Sequence, residues 1–315
     1  MPLISEIGEH ALIARIRERA GNAPSWLHIG IGDDAAVLEP ERGELDVVTT
    51  DCQIEDVHFS RRWMSMHEIG AKALAVNLSD LAAMGASPRA ATLSLAMPPT
   101  LAVEDFDGLI NGFLALAGAA RLTLVGGNIS RSPGPIVIDV TLIGTVRRRR
   151  VLTRSGGSAG HLLYVTGALG DAAVRVERSR SYERSGGSYE PSERSYERQV
   201  FLVGVSREFA SNRVVSACMD LSDGLADGVS QMATASGTGA TVLSSKIPVD
   251  PTATLEHALR GGEDYELLFA VPPRRRRGFE KIAQGMTTVT CIGELTKDRA
   301  LRLDEAPLGG GFSHF

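Results

Sequence analysis

The chain has 315 residues, 43% hydrophobic and 23% charged, with a net charge of −5. That is enough apolar material for sizeable cores and two domains, and it excludes a disordered or fibrous chain. The charge balance gives no electrostatic reason to seek nucleic acid: Arg147 to Arg150 and Arg274 to Arg277 are basic runs without interleaved aromatics, and both read as solvated loops.

In chain order, Leu3, Ile7, Ala11 and Ala14 fall at helical spacing and predict an opening helix before the loop Gly21 to Pro24. The run Met1 to Glu6 carries no apolar core segment and no later stretch reaches membrane-span length, so neither export nor a membrane anchor is expected. Val37-Leu38 and Leu45 to Thr49 read as strands, His67 to Met84 as a helix stopped by Gly85, and Ala91 to Ala96 as a strand. A helix over Val103 to Ala120 and strands over Leu122 to Val125 and Ile136 to Val146 complete the first half. A domain boundary is expected near residue 150, giving domains 1–150 and 151–315.

The second half opens with a Gly/Ser loop and the strand Leu162 to Thr166, then enters a helix at Asp171. A helix after Ser222 and strands near Ala240 to Leu243, Leu267 to Val271 and Thr288 to Ile292 follow, so the first half reads as α+β, the second as a further α/β layer, and the whole as a two-domain α/β (α+β) protein. Ser179 to Arg198 repeats Ser-Tyr-Glu units with almost no aliphatic residue and reads as a mobile surface insertion. Cys52, Cys218 and Cys291 are too far apart in sequence for a C-x-x-C site and too few for a disulfide framework, which points to reduced thiols in a cytoplasmic protein.

Two short patterns are set aside. Gly30-Ile31-Gly32-Asp33-Asp34-Ala35 matches a loose dinucleotide form, but its aspartates would repel a pyrophosphate. Gly156-Gly157-Ser158-Ala159-Gly160 matches a hydrolase elbow but precedes a strand instead of joining strand to helix. No Walker-type loop occurs, so phosphate binding has to rest on metals and other donors.

The better signal is a set of carboxylates in apolar or glycine-tight settings. Asp33-Asp34 precede Ala35-Ala36-Val37, Asp51 follows Val47-Val48-Thr49-Thr50, Asp80 lies in an alanine-rich helix, and Asp220 and Asp223 flank Leu221-Ser222. Asn77 and Asp80 share a helix face at i and i+3. Taken singly, each also reads as a turn residue, a strand-end or helix cap, or a paired core acid. Taken together they exceed what capping needs, and a hard divalent cation with oxygen ligands suits Asp and Thr better than His or Cys would.

At these residues the chain closely resembles the thiamine-monophosphate kinase family, within a superfamily that includes aminoimidazole ribonucleotide synthetase, selenophosphate synthetase and a hydrogenase-maturation dehydratase. The matching stretches are GIGDDAAV (30–37), TTDCQIEDVHF (49–59), KALAVNLSDLAAMGASP (72–88), VGGN (125–128), LTRSG (152–156), MDLSDGL (219–225) and GGEDYEL (261–267), in the family's order over nearly the whole chain. The resemblance implies a two-domain fold whose N-terminal sheets form a barrel across a homodimer, and transfer of the γ-phosphoryl group of ATP to thiamine monophosphate. It also implies roles. Asp34, Thr49, Thr50, Asp51, Asp80, Asn128, Asp220 and Asp223 fall where the family ligates several Mg²⁺ ions, with Asp33 beside them. Gly127, Asn128, Arg154 and Ser222 fall where it holds ATP, while His58, Glu263 and Phe312 fall on the thiamine side. Arg154, Asp220 and Asp223 are the expected catalytic groups.

Three departures stand out. Asn128 replaces the Asp many relatives carry in Gly-Gly-Asp, Tyr/Ser/Glu repeats occupy a usually basic, Pro-containing segment, and the C-terminus lacks an upstream Trp for which Phe312 is the candidate substitute. The alternatives are another ATP-using member of the superfamily or a non-catalytic nucleotide-binding relative. The dehydratase would want a C-terminal Cys and the selenophosphate enzyme an N-terminal one, whereas this chain ends in His314-Phe315 and has no Cys before Cys52.

Overall fold

The opening helical periodicity is realised as two helices. In the computed structural model, which describes residues 2–184 and 195–309, α1 (Ile4–Ile7) stops at Gly8, whose φ of 79° ends the helix, and α2 (Glu9–Ala20) follows. Next come β1 (Leu27–Ile29), β2 (Val37–Leu38), β3 (Glu44–Ile54), α3 (Met66–Ala83), β4 (Ser87–Met97), α4 (Val103–Ala119), β5 (Thr123–Arg131) and β6 (Val137–Arg147). The rest of the chain gives β7 (Leu162–Thr166), α5 (Asp171–Arg184), α6 (Glu197–Asn212), β8 (Ala217–Asp220), α7 (Leu225–Ser236), β9 (Gly239–Val242) and α8 (Leu255–Arg260). It closes with β10 (Leu267–Val271), α9 (Arg276–Gln284), β11 (Val289–Thr296), β12 (Leu301–Leu303) and β13 (Ala306–Pro307). The described residues divide into two units, 2–81, 87–148 and 195–200 in one, and 82–86, 149–184 and 201–309 in the other.

The first unit is built on a four-stranded sheet of order β3-β6-β4-β5, antiparallel except for the parallel β4-β5 pair. On one face β4 and β6 present an apolar surface, where Leu93, Leu95, Met97, Ile138, Val140 and Leu142 are all buried, and β3 adds Thr49, Asp51 and Gln53 beside it. Helix α3 lies on it, since Leu81 reaches Gly144 of β6 and Thr49 of β3 bonds Asp80. Alternation along β6 leaves Asp139, Thr141 and Ile143 half-buried on the opposite face. Helices α3 and α4 cross at two glycines. A Cβ on Gly70 would stand 1.9 Å from the Leu109 carbonyl oxygen, and one on Gly112 would stand 1.8 Å from that of His67, so backbone meets backbone there. Helix α2 is clamped to α4 by Arg19, which pairs with Asp107 at 2.9 Å.

The second unit holds a seven-stranded sheet, order β13-β12-β9-β11-β7-β10-β8, with β12-β9 parallel and the other pairs antiparallel. Its central strands are covered on both faces, which is why Leu162 to Val165 and Leu267 to Val271 are unbroken apolar runs. One face packs Leu163, Val165, Met219 and Leu268 against Val229 and Met232 of α7. The other packs Tyr164 and Phe269 against Phe209 of α6 and Phe279 of α9, with ring centroids 4.5 Å apart for Phe209–Phe279 and 5.2 Å for Phe209–Phe269.

The expectation of a mobile insertion over Ser179 to Arg198 needs correction at both ends. Residues 179–184 continue α5, Ser179 and Tyr196 are buried, and α6 begins at Glu197. Residues 185–194 lie outside the described residues.

Candidate active site

In the first unit, the period of two along β3 sorts the motif residues. Thr49, Asp51 and Gln53 alternate with the exposed Val48, Thr50 and Cys52, so the former face α3 and the latter face away. Thr49 Oγ1 donates to Asp80 Oδ2 at 2.5 Å, tying strand to helix. One helical turn before Asp80, Asn77 is fully buried. Its Nδ2 donates to the Ala73 carbonyl at 3.3 Å, which leaves Oδ1 without a protein partner. The Gln53 amide is buried with neither polar atom bonded.

Orphaned buried acceptors cost about 1–3 kcal/mol each when left unmet. A group made of a hydroxyl, two carboxylates and an amide oxygen is all-oxygen, the donor chemistry a hard divalent cation takes. Among the described residues no three His, Cys, Asp or Glu side chains form a metal-holding group. A cation there would therefore share hydroxyl, amide, water and phosphate oxygens with the carboxylates, as Mg²⁺ commonly does. Asp34 is exposed in its loop, its backbone N–H bonded to Asp33 Oδ1 at 2.8 Å.

Thr50, expected beside Thr49 as a ligand, has its side chain on the opposite face of the sheet. Its hydroxyl meets Asp139 Oδ1 at 3.3 Å and Thr141 Oγ1 at 3.2 Å. A β-strand cannot aim two successive side chains at one point, so only the Thr49 hydroxyl reaches Asp80. Gly127 and Asn128 are within β5 and not in a loop. Gly127 is required where it stands, because a Cβ would be 1.9 Å from the Leu93 carbonyl oxygen, and Asn128 Nδ2 donates to Ser130 Oγ at 2.8 Å. Register places Cys52, Asp139, Ser94 and Asn128 in one row across the four strands, with Thr50, Thr141, Thr92 and Gly126 in the next. Burial, then Asp139 and Asp51, push the Cys52 thiol up, so it stays protonated at neutral pH. His58 accepts from the Ile54 N–H through Nδ1 at 3.0 Å, which holds the ring against its own turn.

In the second unit, two motifs interlock. Asp220 ends β8 almost fully buried, and Ser222 Oγ donates to Asp223 Oδ2 at 3.1 Å in the turn entering α7. The segment Gly262 to Glu266 returns along this turn: Glu263 N–H donates to the Ser222 carbonyl at 2.6 Å, Tyr265 N–H to that of Leu221 at 2.9 Å, and Leu221 N–H to that of Glu266 at 2.9 Å. Asp220, Ser222, Asp223 and Glu263 are thus brought onto one pair of turns. Burial and Asp220 push the Cys218 thiol well up.

Arg154 is exposed on its loop and donates through Nη1 to Gln231 Oε1 of α7 at 2.5 Å, with Gln231 in turn bonded to Asp227. Phe312 lies outside the described residues. Ser158 sits in a loop that runs into β7, with its backbone N–H on His161 Nδ1 at 3.2 Å, so the hydrolase elbow is absent in form as well as in order. Asp264 and Glu266, which the motif assignments do not include, are buried acids that alternate with the half-buried Glu263 and Tyr265. The alternation itself, acid at every second position of Asp264-Tyr265-Glu266, was the available signal.

The chain matches the family described as AIR synthase related protein, N-terminal domain, over residues 32–146, and the corresponding C-terminal domain over residues 158–305. The thiamine-monophosphate kinase of Salmonella typhimurium is 36% identical over 308 residues, covering 92% of this chain and 91% of the relative. The crystal structure of thiamine-monophosphate kinase from Stenotrophomonas maltophilia K279a superposes with a TM-score of 0.80 at 33% identity, covering 95% of this chain and 98% of that one. A structure of AaThiL complexed with AMPPCP and TMP superposes with a TM-score of 0.75 at 31% identity, covering 100% and 99%.

Proposed function

The chain belongs to the thiamine-monophosphate kinase family of AIR synthase related proteins, and from that premise we propose that it transfers the γ-phosphoryl group of ATP to the phosphate of thiamine monophosphate. The observation that carries this reading is the interlock of Asp220-Leu221-Ser222-Asp223 with the segment Glu263 to Glu266 through three backbone hydrogen bonds, one of them from Glu263, which sets acid, hydroxyl and prospective substrate contact on one pair of turns.

The acceptor is itself an anionic oxygen nucleophile, so the protein has no need of a nucleophilic side chain. The cysteines agree with that: Cys52 and Cys218 are held in the protonated thiol form. What remains for the protein is alignment and relief of the repulsion between two phosphate groups. In the first unit we assign Thr49, Asp51 and Asp80 to holding Mg²⁺, with Asp34 as a further oxygen donor and Asn128 as a donor on the sheet face that carries Thr50; in the second unit we assign Asp220 and Asp223 to Mg²⁺. Bound Mg²⁺ supplies neutralisation of phosphate charge. Arg154, tethered through Gln231, offers a guanidinium to phosphate oxygens, Ser222 and the Gly127-Asn128 backbone serve the nucleotide, and His58 and Glu263 meet the thiamine side. Thr50 contributes through the second face of the sheet. There, half-buried polar rows and the exposed Val48 suit pairing with a second copy into the family's dimer barrel. The three free thiols and the lack, among the described residues, of a helix long and apolar enough to cross a membrane support a cytoplasmic location.

The test is purified protein with Mg·ATP and thiamine monophosphate, followed for thiamine diphosphate and ADP. Their appearance in equal amounts is expected. Nucleotide binding without either product would favour a non-catalytic relative instead.

A further inference from the structure

The segment Gly261-Gly262-Glu263-Asp264-Tyr265-Glu266 holds two non-glycine residues in the left-handed region, Glu263 at φ 58° and Tyr265 at φ 52°. L-residues with side chains adopt that conformation rarely, and two such residues flanking a single one need support from their surroundings. The residue between them is Asp264, which is 5% exposed, and both of its carboxylate oxygens accept from the Gly170 N–H, at 3.0 and 2.9 Å. Gly170 lies in the turn after β7, in a conformation of φ 99°.

The neighbouring acid points the same way. Glu266 Oε2 accepts from Thr166 Oγ1 at 2.5 Å, and that hydroxyl accepts from the Leu267 N–H at 2.9 Å. The carboxylate of Glu266 fills the space where Gly167 would otherwise carry a Cβ, with its atoms 2.5–2.9 Å from that position. Gly262 is pressed equally close, its absent Cβ falling 2.7 Å from the Ser222 carbonyl oxygen. The inward side chains thus fasten one turn to another, and the outward ones, Glu263 and Tyr265, are displayed by a backbone that cannot relax while the fastening holds.

We infer that Asp264 is a positioning residue for thiamine monophosphate, fixing the left-handed backbone at Glu263 and so the direction of its carboxylate by bonding the turn after β7. The inference rests on the reading that Glu263 meets the substrate. It goes beyond that reading in assigning the buried neighbour, and Gly170 with it, to substrate affinity and not to folding alone.

The experiment compares Asp264→Ala, Asp264→Asn and Asp264→Glu with Glu263→Ala in steady-state kinetics, with KM measured separately for thiamine monophosphate and ATP. Asn keeps an oxygen for the Gly170 N–H, so Asp264→Asn is expected to stay near the wild type. Ala removes the acceptor and Glu displaces it, and each is expected to raise KM for thiamine monophosphate about tenfold with KM for ATP and kcat little changed. If Asp264→Ala does not fold, the Asn/Glu pair carries the same contrast. The proposal is overturned if Asp264→Glu binds thiamine monophosphate like the wild type, or if KM for both substrates, kcat and thermal stability all deteriorate together. Should Glu263→Ala leave KM for thiamine monophosphate unchanged, the reading of Glu263 fails and the positioning role falls with it. A raised KM in Glu263→Ala beside unaltered Asp264 variants sinks the positioning role alone.

Discussion

Thr49→Val is the sharpest probe of the first-unit oxygen group, because valine keeps the β-branched shape and deletes only the hydroxyl that donates to Asp80. A hydrogen bond to a charged group contributes about 1.5–3 kcal/mol when buried. Both side chains here are half-buried, so solvent screening reduces the expected loss to about 1 kcal/mol, or about 2–4 °C in unfolding midpoint. The larger effect should come with Mg²⁺. A ligand that binds only the folded state adds RT ln(1 + [L]/Kd), so each tenfold loss of Mg²⁺ affinity removes about 1.4 kcal/mol of that gain at saturating metal. Thermal unfolding with and without Mg²⁺, for wild type, Thr49→Val and Thr49→Ser, separates the two contributions. Serine should restore both. If Thr49→Val gains as much from Mg²⁺ as the wild type and turns over at the same rate, Thr49 is a packing residue and its place among the ligands is wrong.

Other outcomes follow from the same geometry. Asn128→Asp adds one negative charge beside Ser130, whose hydroxyl can turn to donate, and should lower the Mg²⁺ concentration for half-maximal rate several-fold; an unchanged Mg²⁺ dependence would remove Asn128 from the metal group. Asp80→Asn should abolish most turnover with near-native circular dichroism, and wild-type rates from that folded variant would sink the assignment. Phe279→Ala empties the centre of an aromatic cluster and should cost about 3–5 kcal/mol in denaturant unfolding; a loss under 1 kcal/mol would mean the cluster collapses to refill the space. His161, whose Nδ1 accepts from the Ser158 N–H, is held below the usual imidazole range by burial and by Arg274. The unfolded chain therefore takes up the proton first. Stability is full above the unfolded value of about 6.5 and is lost as pH falls through the lower folded value, so the wild type minus His161→Asn difference should shrink from pH 7.5 to pH 5.

Much of this architecture was legible because local and tertiary preferences agree. Helix α3 was read within a residue at each end from its apolar period and Gly85, and β7 and β10 were read to the residue because strands covered on both faces are uninterrupted apolar runs. Polarity misled where a polar residue faces something other than water. Strand β3 was expected to end at Thr49 but runs to Ile54, since Asp51 and Gln53 face the helix and not a turn. Strand β5 was expected to stop at Val125, because Gly126-Gly127-Asn128 carries turn chemistry. Only the close Leu93 backbone explains glycine in mid-strand.

The site shows the same division. Motif spacing named the acids, but which face each occupies depends on where a strand starts and what pairs with it. The resemblance groups Thr49 and Thr50 by motif position, although their hydroxyls point to opposite sides. Asp264 and Glu266 lie in a short polar run, and what they meet is the end of β7 and the turn after it, Thr166 and Gly170, about a hundred residues away in sequence.

The glycine crossing of α3 and α4 bears on mutational tolerance. Position 70 touches no prospective ligand, yet a single methyl there would drive α3 off the Leu109 carbonyl and carry with it the helix on which Asp80 rides. A saturation screen for activity should therefore find Gly70 and Gly112 as intolerant as the acids themselves, with the difference that their losses are recovered by nothing added to the assay. Such a map would mark the back of the site, where shape and not charge is under constraint.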